Sequence, residues 1–257
     1  GHGEIDDDAF FPVQVGTRND WVSVAAGHEH TCATREENGF LHLYCWGAND
    51  VGQLGVGDLE DRLTPASVSD NIHFGDLAPG GLHTCGIHDE RGDLWCWGRQ
   101  EGGELGQGVT GPPLTSPVRV EAAHSFVDVA TGTGHSCAVR ADGTLWCWGH
   151  VECYQTGTRE HPLAPVQVGT GCWQRLAAGV SHTCGIDAAG ALHCWGSNDS
   201  GQLGQGFVGG GEASEFGCFG GANAFHLPQP VLPGTRFRGV ACGAFHNCAI
   251  ATSGELW

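Results

Sequence analysis

Apolar and polar positions along this chain fall into short recurring blocks, with no long amphipathic stretch. Five segments share one order of small, Gly, His, polar and Cys positions: AAGHEHTCAT (25–34), APGGLHTCGI (78–87), ATGTGHSCAV (130–139), AAGVSHTCGI (177–186) and ACGAFHNCAI (241–250). Four are followed by an aromatic block: LYCWG (43–47), LWCWG (94–98), LWCWG (145–149) and LHCWG (192–196). The fifth such block opens at Leu256-Trp257. A GQLG block appears at 52–55 and 201–204, with GELG at 103–106, and Pro-containing strand-like pieces such as TPASV, SPVRV and APVQVG precede each new repeat. Runs of strong helix formers are missing, while Gly, Trp, Val and Thr recur. That pattern predicts short strands joined by tight turns, for which Gly supplies the positive φ.

The turns can be placed more closely. In HSCAVRADGTLWCWG, a loop at Ala141-Asp142-Gly143 with Gly143 left-handed pairs residues so that Cys137 faces Cys147. The equivalent loop Ala188-Ala189-Gly190 sets Cys184 opposite Cys194. The positions Cys32, Cys85, Cys137, Cys184 and Cys248 lie 53, 52, 47 and 64 residues apart. Periods of that size with several short strands each predict propeller blades. The longest step carries an insertion, GFVGGGEASEFGCFGGANAFHLPQP (206–230), that reads as a loop.

Directly opposed residues of an antiparallel pair sit close enough for a disulfide. Cys137–Cys147 and Cys184–Cys194 are therefore expected staples, as are Cys85–Cys96 and Cys32–Cys45 across slightly longer turns. Cys153 and Cys172 are expected to tie the connection between them, and Cys218 to join Cys242. Cys248 is left alone, its mate belonging at position 258, so the chain reads as a fragment, with an intermolecular Cys248 bridge as the alternative. No close C-x₂₋₄-C pair of zinc-ligand type occurs, so neither a metal nor a cofactor is expected.

These motifs, [A/T]-x-G-x-x-H-[T/S/N]-C-x-[I/V], then D-G-x-L-W-C-W-G, then N-D-x-G-Q-L-G, resemble the RCC1 (regulator of chromosome condensation) repeat, in particular its secreted, cysteine-rich bacterial versions. The resemblance runs from about Phe11 to Trp257. It implies an all-β propeller, typically a seven-bladed ring with four strands per blade. Five repeats are present, near 11–64, 65–116, 117–164, 165–229 and a truncated 230–257. Either further repeats lie beyond Trp257 or the ring is smaller. The family's name-giver exchanges guanine nucleotide on a nuclear GTPase and docks on chromatin. A secreted relative inhibits β-lactamases by gripping them.

Composition bears on which of these roles fits. Thirteen cysteines point to an oxidising, secreted or cell-surface location. The formal charge of −18 disfavours nucleic acid and favours basic partners. No stretch is apolar enough to insert in a membrane. The acidic stretch within residues 1–10, Glu4-Ile5-Asp6-Asp7-Asp8, lacks the spacing of a calcium loop and reads as a solvated tail. His30, His83, His135, His182 and His246 occupy one repeated position, which argues for hydrogen bonding between blades over catalysis. Trp46, Trp97, Trp148 and Trp195 read as blade-packing aromatics. Gly134-His135-Ser136-Cys137-Ala138 echoes a nucleophile elbow but belongs to the repeat. No carboxylate pair stands out from it. Specificity is expected where repeats disagree: Asp58–Arg62, Gln107–Leu114, His150–Pro162 and Phe207–Leu227. The expected role is a non-catalytic module binding another protein or an extracellular assembly, or inhibiting a secreted enzyme. The rival is a hydrolase or lyase on the central face, which needs an acid–base pair outside the repeat.

Overall fold

The computed structural model describes residues 11–69, 71–121, 123–211 and 224–257, and every regular element within them is a strand. The first blade is β1 (Trp21–Ala26), β2 (His30–Glu37), β3 (Phe40–Gly47) and β4 (Arg62–Ser69). The second is β5 (Phe74–Pro79), β6 (His83–His88), β7 (Leu94–Gly98) and β8 (Leu114–Arg119). The third is β9 (Phe126–Thr131), β10 (His135–Arg140), β11 (Leu145–Gly149) and β12 (Val166–Gln167). The fourth is β13 (Trp173–Ala178), β14 (His182–Asp187), β15 (Leu192–Ser197) and β16 (Ala224–Val231). Each forms a four-stranded antiparallel sheet, and β17 (Phe237–Cys242) with β18 (Asn247–Ala251) forms a two-stranded fifth.

The first strands of successive blades pack against one another, so the fourth strands lie outermost. Pro65, Pro117 and Pro230 sit in those outer strands, where a missing N–H can face away from the ladder. The repeat breaks expected from sequence fall within or beside these strands, each of which completes the preceding blade.

Turn chemistry sets the register. Gly143 has φ 86° and Gly190 φ 82°, and the strands they join place Cys137 opposite Cys147 and Cys184 opposite Cys194. Cys32–Cys45 and Cys85–Cys96 are opposed in the same way. All four pairs are disulfide-bonded, with Cα atoms 4.1–4.2 Å apart. Two other expected pairings are not formed. Cys153 is disulfide-bonded, yet Cys172 is a free, exposed thiol. Cys153 is buried beside Val151, Tyr154 and Ala224 just after β11, whereas Cys172 lies against Gly143, before β11 begins. A strand of five residues, roughly 16 Å, separates those ends. Cys242 is also free, because β17 is an inner strand and turns it toward Cys184. Cys218 and the acidic tail of residues 1–10 lie outside the described residues. Cys248 is free and exposed.

The blades are joined by a repeated polar clasp. His30 Nε2 lies 2.8 Å from Thr84 Oγ1, His83 2.9 Å from Ser136 Oγ, and His135 2.8 Å from Thr183 Oγ1. The hydroxyls donate in turn to the carbonyls of Gln53, Glu104 and Gln155 at 2.8–2.9 Å. Since each hydroxyl proton is used there, the imidazole must donate from Nε2, which fixes the neutral tautomer. In the fourth junction His182 Nε2 donates to Asn247 Oδ1 at 2.8 Å, and Asn247 Nδ2 donates to Gln202 O. The tryptophans join the same carbonyls: Trp97 Nε1 donates to Gln53 O at 3.0 Å and Trp148 Nε1 to Glu104 O at 2.8 Å.

The Gly of the His-bearing block follows from this geometry. A Cβ at Gly132 would lie 2.1 Å from His135 Cε1 and 2.5 Å from Gly179 O of the next blade. Gly27, Gly80 and Gly179 face a neighbouring glycine carbonyl at 2.5–2.6 Å in the same way. Gly132→Ala is therefore expected to destabilise by about 1–3 kcal/mol through forced displacement. Gly111→Ala, with open space at its Cβ, should stay within about 0.5 kcal/mol. Urea unfolding of the two variants checks the difference.

Candidate functional site: the rim of third-to-fourth strand connections

In an antiparallel four-stranded blade, the first turn and the third connection lie at one end. That end carries the described parts of the four stretches expected to set specificity. Residues 48–61, 99–113, 150–165 and the segment following β15 link the third strands to the fourth. They contain Asp58–Arg62 up to the first residue of β4, Gln107–Leu114 up to the start of β8, and His150–Pro162. They also hold the Phe207–Leu227 stretch, which runs into β16 and of which 212–223 lie outside the described residues.

The loops are built rigidly from a repeated amide. Asn49 accepts from Leu54 N at 3.0 Å and donates from Nδ2 to Asp58 O at 3.0 Å. Asn198 accepts from Leu203 N at 3.1 Å and donates to Phe207 O at 3.1 Å and Gly209 O at 2.8 Å. Gln100 Nε2 reaches Val109 O at 3.2 Å. In the third blade Val151 replaces the amide, and its N–H donates to His161 Nδ1 at 2.9 Å. Asp58, Val109 and Phe207 thus hold one loop position, carbonyl inward and side chain outward. Leu59 is 50% exposed, Val109 55%, Phe207 50% and Val208 68%. Asp58 pairs with Arg62 at 2.6 Å.

Charge on this rim is one-sided. Its described loops, with Arg62 at the start of β4, hold nine carboxylates (Asp50, Asp58, Glu60, Asp61, Glu101, the buried Glu104, Glu152, Glu160, Asp199) against three arginines, Arg62, Arg99 and Arg159. Glu104 stands where other blades carry Gln53, Gln155 and Gln202, and Arg99 accompanies it at 3.3 Å. Burial raises the Glu104 carboxyl. Within the rim opens an axial mouth of about 220 Å³ lined by the first turns of all five blades, including Gly27, Gly80, Gly132, Gly179 and Gly243.

Groups that suggest other chemistry are already engaged. His182, Cys184 and Cys242 offer ligand atoms within 4.8 Å of one another. Cys184 is bound to Cys194, however, and burial pushes the Cys242 thiol up to about 12, so the set suits no metal. Ser136 of the elbow-like stretch is buried inside the clasp. One sequon, Asn198-Asp199-Ser200, was overlooked in the sequence; the Asn198 amide is fully buried and committed to its loop.

One constellation outside the repeat was missed as well. The third residues of the inner strands are Ser23, Asp76, Asp128, Arg175 and Gly239, each following a bulge that re-aims it. Asp128 Oδ2 accepts Leu176 N at 2.6 Å and Oδ1 lies 3.3 Å from Arg175. Asp76 likewise accepts from Val129 of the following blade. Aligning the inner strands column by column exposes this departure, so a carboxylate pair does stand out from the repeat. Its oxygens serve as blade-to-blade bonds.

Two family models match the chain, both described as the regulator of chromosome condensation (RCC1) repeat: one over residues 42–87, 91–139 and 189–250, the other over 21–53, 126–155 and 173–202. Among curated proteins, the chain is 33% identical over 176 residues to the Ultraviolet-B receptor UVR8 of Arabidopsis thaliana, covering 65% of this chain and 39% of that one. It is 30% identical over 246 residues to the E3 ubiquitin-protein ligase HERC2 of Homo sapiens, covering 90% of this chain and 5% of the ligase. The chain thus spans well under half the length of these relatives. Among solved structures, human WBSCR16 superposes with a TM-score of 0.76 at 20% identity, covering 90% of this chain and 57% of that one. Yeast RCC1 (Prp20), solved bound to Kap60, superposes with a TM-score of 0.64 at 22% identity, covering 92% and 69%.

The buried clasp gives the fold a defined pH response. Burial lowers His30 to about 4 and His83 and His135 to about 3, against about 6.5 in an unfolded chain. The folded state then binds fewer protons, so stability is complete above about pH 6.5 and drains away as pH falls toward those values. Asp128 works in the opposite sense. Burial, and then the Asp76 charge, raise it to about 7, so its contribution is present at low pH and lost as pH rises from about 4 to 7. Urea midpoints are expected to fall between pH 6.5 and 4, and to fall more steeply in Asp128→Asn, which lacks the offset. A flat or rising midpoint on acidification contradicts this assignment.

Proposed function

Because the chain belongs to the family of regulator of chromosome condensation (RCC1) repeat proteins, we propose that it is a non-catalytic module whose loop-bearing rim binds another protein outside the reducing compartments of the cell. The observation that carries this reading is convergence: the described parts of the four divergent stretches share one end of a propeller whose blades are locked together. Loops on a rigid scaffold lose little freedom on binding, which favours affinity. Relatives of the family act in protein binding or regulation, and yeast Prp20 is described by its binding to Gsp1p and histones.

Four disulfides, each within one blade, are compatible with an oxidising compartment. The secreted, cysteine-rich bacterial type of the repeat fits that usage. The acidic rim repels phosphate backbones, which supports a protein partner over nucleic acid. Among the described residues no helix is long and apolar enough to cross a membrane. The engaged state of His30, His83, His135 and His182, and of Asp128, supports the non-catalytic reading over a hydrolase or lyase. Inhibition of a secreted enzyme is the narrower form of the same proposal.

Quantitative cross-linking in the protein's native surroundings tests the reading. Val109→Asp on the rim is expected to lower partner recovery at least tenfold, while Asp142→Asn at the opposite end leaves it unchanged. Equal recovery by both variants contradicts a rim interface.

A further inference from the structure

Resting on that reading, the rim's chemistry narrows the class of partner. Three loops hold one position in register: Asn49, Gln100 and Asn198 draw the carbonyls of Asp58, Val109 and Phe207 inward. The side chains at and beside that position face outward, and Leu59, Val109, Phe207 and Val208 are each at least half exposed. Leu59, Val109 and the Phe207-Val208 pair stand on three separately pinned loops and do not collapse on one another, and Phe207 is backed by Phe225. Eight carboxylates that are at least partly exposed surround them, against three arginines, Arg62, Arg99 and Arg159. A neutral apolar partner would have to strip water from those charges without replacing it, which is costly. A purely cationic partner would leave the apolar anchors in water.

We infer that the rim takes a polypeptide segment carrying Lys or Arg side chains interleaved with apolar ones. Apolar side chains of the segment cover Val109, Phe207 and their neighbours, while its cations meet the surrounding carboxylates. Charge steers the encounter and suppresses acidic competitors; the apolar contacts hold the complex.

Fluorescence anisotropy at about 150 mM salt, where the screening length is about 8 Å, tests this on the intact chain with three labelled sixteen-residue probes. One interleaves Lys with Leu, one contains Lys and Ser in the same order, and one interleaves Glu with Leu. The Lys–Leu probe is expected to bind at least tenfold more tightly than the Lys–Ser probe, with no binding of the Glu–Leu probe. Val109→Ser with Phe207→Ser, both at exposed positions, should weaken the Lys–Leu probe about tenfold and leave the Lys–Ser probe unchanged. Asp142→Asn at the far end should change neither. Equal affinity for Lys–Leu and Lys–Ser, or an unaffected double variant, overturns the inference by leaving charge alone as the cause. Failure of every probe, while Val109→Asp still abolishes cross-linking to the native partner, overturns this partner chemistry and leaves the rim interface standing. Failure of both removes the interface as well.

Discussion

Everything at the loop-bearing rim depends on how one blade holds the next. A buried imidazole donates to a hydroxyl of the following blade, and that hydroxyl donates to a carbonyl of its own partner's loop. His30–Thr84, His83–Ser136 and His135–Thr183 repeat this with nearly equal distances. The bond leaves the clasp with neutral, buried groups whose donors are all used, so it adds specificity without the penalty of a buried charge. The carbonyls it reaches belong to Gln53, Glu104 and Gln155, residues of the same loops that form the rim. Blade spacing and loop position are thus fixed by a single network, and the glycines opposite each imidazole keep the space it needs.

Much of the fold was legible because the repeat writes each constraint several times. The Ala-Asp-Gly loop at 141–143 determines a register, and the register sets Cys137 beside Cys147. The histidine position announced an inter-blade role by recurring. Pairings outside the repeat had no such copies to guide them. Cys153 and Cys172 are close in sequence, but the return through β12 carries the chain from one end of the blade to the other between them. Cys242 looked like a mate for a loop cysteine, yet it lies on an inner strand beside the Cys184–Cys194 bridge.

The candidate site was legible as disagreement between repeats, though not as a surface. Sequence marked Asp58–Arg62, Gln107–Leu114, His150–Pro162 and Phe207–Leu227 without stating that they share an end; the up-down order of four strands supplies that. The amide pins were present in the letters as Asn49, Gln100 and Asn198, but their role depends on carbonyls nine residues away. Asp128 and Arg175 escaped notice because each fits its own strand. Only the contact between blades, at 3.3 Å, makes them a pair.

The claim at the centre of this account is that the clasp couples neighbouring blades energetically. A double-mutant cycle between His135→Phe and Thr183→Val, followed by urea unfolding at neutral pH, measures that coupling directly. The account predicts an interaction free energy of about 1–2 kcal/mol, the worth of a fully buried hydrogen bond. Additive losses, with a coupling near zero, would mean that the blades cohere through apolar packing alone and that the histidine position is incidental.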